Sequence, residues 1–133
     1  MGVKSNLILA TANFVCKKED QEDLKALERQ KSIFTKLIQK AANTKFGLDH
    51  QFSKIKTIKD YQELVPIRDY EKLKSYFDLI HSGKKDILWP GLPKYLAKTS
   101  GTTSGTKYIP LTKQSIPNHI NSARNALFSY LYH

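Results

Sequence analysis

The chain has 133 residues, 40 % hydrophobic, 26 % charged and 11 % aromatic, with 22 Lys+Arg against 12 Asp+Glu and a formal net charge of +10. That is the make-up of an ordinary folded domain, with too many aromatic and aliphatic residues for a disordered tail. No apolar run approaches the roughly 18–20 residues of a membrane helix, and a single cysteine, Cys16, forms no internal disulfide, so a reducing cytoplasm is expected.

The first twelve residues place Lys4 before Leu7-Ile8-Leu9-Ala10, but that apolar stretch falls short of the roughly 7–15 residues of a secretory core. Met1-Gly2 lacks the Ser or Thr at position 6 that myristoylation wants, because Asn6 stands there. Residues 17–43 read as one long helix: Glu19, Asp20, Glu22 and Asp23 crowd its start, and Lys36, Lys40 and Lys45 lie at its end, as the helix dipole favours. Leu24, Leu27, Phe34, Leu37, Ile38 and Ala41 would form its apolar face, with Gly47 as the stop. Thr57 is expected to cap a short helix through Leu64, ended by Pro66. Asp69 caps the next, over about 70–82, with Tyr70, Leu73, Phe77 and Ile80 inward and Gly83 after it.

The turn Trp89-Pro90-Gly91-Leu92-Pro93 leads to a strand over 95–99, a loop, and a returning edge strand over 107–111 that contains Pro110. Thr112 or Ser115 caps a last helix with Pro117 in its first turn and an apolar stripe of Ile116, Ile120, Ala123, Leu127, Tyr130 and Leu131. The stripe still runs where the sequence stops, as in a piece of a longer chain. The fold class is therefore α/β, with residues 1–90 mainly helical and 91–133 a hairpin followed by a helix.

Charge is divided unevenly. All 12 carboxylates lie between Glu19 and Asp86, whereas residues 87–133 carry five Lys+Arg and none. A segment of one sign favours an anion. Within it, Thr99-Ser100-Gly101-Thr102-Thr103-Ser104-Gly105-Thr106-Lys107 combines glycines, hydroxyls and a lysine. Glycines let the backbone come close to a ligand, successive N–H groups form a nest for phosphate oxygens, hydroxyls donate without adding charge, and Lys107 supplies a point charge. The spacing is not that of the common P-loop, since only three residues separate the glycines, Thr106 precedes the lysine and Tyr108 follows it.

Other candidates have plainer readings. His50, His81, His119 and His133 show no metal-ligand spacing. Asp49-His50 could form an acid–base pair, although local capping explains it as well. Trp89 and the tyrosines read as core rather than stacking platforms. The lysine-rich 17–45 segment is interleaved with acids, and no RNA- or DNA-binding motif is present.

Ser-Gly-Thr-Thr-Ser-Gly-Thr-Lys between two strands resembles the phosphate-binding motif of adenylate-forming enzymes. Asp86-Ile87-Leu88-Trp89-Pro90-Gly91, Ala97 to Gly105 and Ile116 to Asn125 resemble the auxin-responsive Gretchen Hagen family of acyl-acid amido synthetases, in its bacterial branch. Asn43 to Gly47 and Val65 to Tyr70 fit the same family. Thr99 departs from it in standing where members often carry Ser, which keeps a hydroxyl. The resemblance implies a cytoplasmic ligase that uses ATP with Mg²⁺ to activate a carboxylic acid as its acyl-adenylate, then passes the acyl group to an amino acid or other amine. It implies that Thr99, Ser100, Gly101, Thr102, Thr103, Ser104, Gly105, Thr106 and Lys107 hold the nucleotide phosphates and that Lys107 acts in catalysis. Arg124, on the last helix, could meet the acyl substrate's carboxylate, although a solvated or structurally paired arginine is the plainer reading. The resemblance also implies that residues 1–133 are the N-terminal part of a larger adenylating domain, needing the remainder of its own polypeptide and inactive alone. The alternative is a non-catalytic basic module that binds nucleotide or nucleic acid, whose affinity would fall steeply with salt.

Overall fold

The computed structural model describes residues 3–23, 25–99 and 105–132. It is rich in helix, with one small sheet, in the order α1 (Val3–Asp23), α2 (Ala26–Ala41), α3 (Lys45–Asp49), a 3₁₀ turn (Phe52–Lys54), α4 (Ile58–Leu64), α5 (Tyr70–His81), β1 (Tyr95–Thr99), β2 (Lys107–Leu111) and α6 (Ile116–Tyr132). The chain divides into two compact units, one of residues 1–31 with 114–133, the other of residues 32–113. No described helix is long and apolar enough to cross a membrane.

In the first unit α1 packs along α6. Ala12 and Cys16, one turn apart on α1, are its buried apolar positions. The expected single helix over 17–43 is two helices: the acidic run Glu19–Asp23 closes α1 instead of opening a helix, and α2 begins afresh at Ala26. Of the face expected there, Ile38 and Ala41 are buried and Phe34 half-buried, but Leu37 and Leu27 are exposed, Leu27 at 82 %; Leu24 lies outside the described residues. The α6 stripe is likewise largely exposed, with Ile116 alone of its residues half-buried. Ile120, Leu127 and Tyr130 are exposed, while Asn125, Phe128 and Ser129 are half-buried.

The second unit holds two apolar clusters. Ile38, Ala41, Phe52 and Ile55 form one, with Phe34, Tyr61, Leu64, Val65 and Trp89 against it. Tyr76, Phe77, Ile80 and Ile87 form the other, with Tyr70, Leu73 and Leu88 against it. Phe46 packs on both. It stacks on His50 and meets Phe52 and Tyr76 edge-on, at centroid distances of 4.1, 5.8 and 5.2 Å.

A short helix such as α3 must find partners for its first N–H groups, which no turn within the helix can satisfy. Lys45 and Phe46 donate theirs to the carbonyls of Asp86 (2.7 Å) and Ile87 (2.9 Å). Gly47 donates its own to Thr44 Oγ1 (3.0 Å), and that hydroxyl donates to the Ala41 carbonyl (2.7 Å). Thr44 is 1 % exposed. Gly47 is therefore not the stop of a long helix. It lies inside α3, buried, where a Cβ would run into the carbonyl oxygens of Ala41 and Ala42.

The later helices follow their sequence signals. Thr57 and Asp60 form a reciprocal capping box on α4. Asp69 caps α5 by accepting the Lys72 N–H (2.9 Å). Gly83, at φ +80°, ends α5 with N–H bonds from Gly83 to Ile80 and from Lys84 to Leu79, the Schellman pattern. The following loop is closed by Asp86, which exchanges bonds with Gly91: its N–H reaches the Gly91 carbonyl (3.1 Å) and its Oδ1 accepts the Gly91 N–H (2.7 Å).

Two expectations test this packing. An Ala for Gly exchange inside a helix ordinarily gains about 1 kcal/mol, but overpacking costs about 1–3 kcal/mol and here the obstacle is backbone. Gly47→Ala should therefore lower the unfolding temperature by about 5 °C, read by circular dichroism; an unchanged or raised value would contradict the close approach. The second concerns acid. Hydrogen bonds from the Tyr76 hydroxyl and from Lys45 hold the Asp49 carboxyl below its ordinary value of 3.8. The Lys56 and Thr57 N–H groups do the same for Asp60. Both groups bind protons more readily unfolded, so their contribution is whole above 3.8 and fades as the pH falls through the lower folded values. A doubly substituted Asp49→Asn, Asp60→Asn protein should lose less stability than the parent between pH 5 and pH 3, and parallel losses would refute the assignment.

Candidate functional site

The hairpin is where the sequence concentrates its chemistry. β1 and β2 pair antiparallel, with Tyr95 opposite Leu111, Ala97 opposite Ile109 and Thr99 opposite Lys107. The last of these pairs stands at the mouth of the loop. Thr99 Oγ1 points to the Lys107 carbonyl at 3.5 Å, a long contact that closes the neck weakly. Gly105, at φ +78°, and Thr106 re-enter the strand and are exposed. Ser100, Gly101, Thr102, Thr103 and Ser104 lie outside the described residues.

Helix α5 holds β2 in place. Tyr70, the first residue of that helix, stacks on Phe77 at 4.7 Å. Its hydroxyl oxygen accepts the Tyr108 N–H at 3.1 Å, and the Lys107 ammonium stands over its ring, 5.5 Å from the centroid. His81, at the other end of α5, meets the Tyr108 ring edge-on at 5.0 Å. N–H groups alternate between the two sides of a strand. The outward side of β2 thus gives the Tyr108 N–H to Tyr70, and at Pro110 it has no N–H to give, so that edge offers no donor at either position. Sequence reasoning placed Tyr70 on the inward face of its helix. Its bond to a strand 38 residues away carries no local signal.

The other candidates separate. Arg124 belongs to α6 in the other compact unit, is exposed, and directs Nε and Nη2 at Asn125 Oδ1, both at 3.3 Å. Asp49 and His50 do not pair. The Asp49 carboxylate takes the Tyr76 hydroxyl (2.9 Å) and Lys45 (3.1 Å), whereas buried His50 bonds through Nδ1 to the Phe46 carbonyl (2.8 Å). Burial and that carboxylate together raise the Tyr76 hydroxyl above its ordinary value. Trp89 packs in the core under Lys40. Tyr61, Tyr70 and Tyr76 serve the core as expected, but Tyr95 and Tyr130 are exposed, Tyr130 at 81 %. His119 is exposed on α6, and His133 lies outside the described residues.

Among the described residues no group of three His, Cys, Asp or Glu side chains could hold a metal ion, and residues 87–133 contain no carboxylate at all. Just before Lys107, whose ammonium stands over the Tyr70 ring, the chain has an exposed glycine and an exposed hydroxyl, in a segment without a negative side chain, a composition suited to an anion.

No curated protein and no solved structure shows significant similarity to the chain. Residues 18–132 match the GH3 family N-terminal domain. That match takes in both compact units, from within α1 to the end of α6, and the chain belongs to the GH3 (Gretchen Hagen) family, an enzyme family of acyl-acid amido synthetases, as its N-terminal portion.

Proposed function

We propose that this chain is the N-terminal part of an ATP-dependent acid–amine ligase and that its hairpin loop, residues 99–107, holds the nucleotide phosphates. The observation that carries the reading is the place of Lys107. It follows the loop, two residues after a glycine in the left-handed region, with its ammonium over the Tyr70 ring, in a segment with no carboxylate. Membership in an amido synthetase family supports the reaction class.

In the first step a carboxylate oxygen of the acid attacks the α-phosphorus of ATP. The bond from that phosphorus to the bridging oxygen breaks, and pyrophosphate leaves with the electron pair. In the second, the amine nitrogen attacks the acyl carbon, the carbon–oxygen bond to AMP breaks, and the nitrogen loses a proton. The proposed part of Lys107 is in the first step, where its ammonium offsets charge on the phosphates. The backbone N–H groups and hydroxyls of the loop, Thr99 and Thr106 among them, orient the phosphates without adding charge. Such fixed donors and charges supply most of the catalysis of phosphoryl transfer. Mg²⁺ would accompany the nucleotide. A solitary, buried cysteine suits a reducing compartment, and we place the enzyme in the cytoplasm.

The reading is tested by exchange of labelled pyrophosphate into ATP, catalysed by the full-length protein across a panel of carboxylic acids. Exchange should depend on the acid. Lys107→Ala should reduce it by about a hundredfold with an unchanged unfolding temperature. Exchange that ignores the acid, or that survives Lys107→Ala, would overturn the assignment.

A further inference from the structure

We infer that Tyr70 is a positioning residue for the phosphate site: through its ring and its hydroxyl, α5 sets where the Lys107 ammonium stands. This rests on the reading that the loop binds nucleotide phosphates, and it adds a residue that lies on another element, 37 positions earlier in the chain.

A lysine is a compact charge on a flexible four-carbon stem, and its aim is costly to fix. Beside a loop mouth open to solvent it would sample many rotamers, and each ordered side chain of this length costs entropy on binding. Tyr70 makes three contacts that narrow this freedom. Its ring is held flat against Phe77, a buried member of the second apolar cluster, at 4.7 Å and an interplanar angle of 20°. Its hydroxyl oxygen takes the N–H of Tyr108, so the strand is tied to the helix one residue beyond the lysine. Its π face lies under the ammonium, 5.5 Å from the centroid, within the range where a cation is attracted to an aromatic ring.

The origin of the lysine stem and the direction of its charged end are thus both set by one side chain. That side chain is itself fixed at the capped start of α5, where Asp69 accepts the Lys72 N–H. His81 adds a second brace on the Tyr108 ring from the far end of the same helix. The hairpin is a two-stranded sheet with five residues in each strand. A ribbon of that size is marginal alone, and its purchase on α5 is what gives the lysine a fixed address.

The test uses the full-length protein with its lysines dimethylated with ¹³C, which keeps their charge, and the Lys107 resonance assigned by its absence from Lys107→Ala. Ring current from Tyr70 should displace that resonance upfield. Tyr70→Phe should keep the displacement and weaken ATP binding about twofold, through loss of the hydroxyl bond. Tyr70→Leu should abolish the displacement and weaken ATP binding about fivefold. In a Lys107→Ala background Tyr70→Leu should have no further effect, because a positioning residue has nothing left to position.

Equal losses from Tyr70→Leu on both backgrounds would show a merely structural role and overturn the inference. So would a Lys107 resonance undisplaced in the parent or in Tyr70→Phe, and the Phe variant retains the stack on Phe77 should the Leu variant fail to fold. Unchanged ATP affinity in Lys107→Ala overturns the phosphate-loop reading and this inference with it. Weakened affinity there, with additive losses, overturns this inference alone.

Discussion

The second compact unit depends on how the N–H groups at the start of α3 are satisfied. Five residues cannot make a stable helix from their own hydrogen bonds. The donors of Lys45 and Phe46 therefore reach to the carbonyls of Asp86 and Ile87, while Thr44 serves Gly47 from below. Those bonds bring the loop after α5 against the turn after α2 and leave Phe46 between the two apolar clusters. With Phe46 in place, Tyr76 and its neighbours on α5 are held from one side. The first turn of α5 can then present Tyr70 to β2. The position of Lys107 is the last link in that sequence of contacts.

Seen this way, the candidate site is supported by the helical layer rather than by the sheet. Two strands with a proline in one of them give little rigidity to a lysine at their loop end. The helix contributes what the ribbon lacks: a ring packed on a buried phenylalanine, a hydroxyl oxygen bonded to the strand, and an edge contact from His81. Function and packing meet in α5, whose inner face serves the core while its two ends hold the hairpin.

Much of this was legible in the sequence where the signals are local. Thr57 with Pro66, and Asp69 with Gly83, announced α4 and α5 almost to the residue, because caps and terminators act locally. The turn Trp89–Pro93 and the glycine- and hydroxyl-rich loop bracketed both strands. The loop composition, together with the neighbouring motifs, indicated the family to which residues 18–132 belong. Legibility failed where partners are distant. The acidic run before Leu24 was read as a helix start on charge alone, although the backbone there is the end of α1. Gly47 looked like a terminator because glycine usually is one after a helix. Its actual duty, to let α3 approach the Ala41 carbonyl, follows from the packing of two segments. The stripe on α6 had the right period but is largely exposed, since periodicity marks an apolar face and not its partner. Tyr70 was placed inward correctly, yet its bond to Tyr108 could not be foreseen from spacing.

Nucleotide phosphates are proposed to sit on the hairpin loop. The most direct measurement is a titration of the ¹⁵N-labelled full-length protein with ATP, following backbone amide resonances. Saturable shifts, largest from Thr99 through Lys107 and reproduced by inorganic pyrophosphate, are the predicted result. Shifts confined to other parts of the chain, or none in this segment at saturating ATP, would contradict the account.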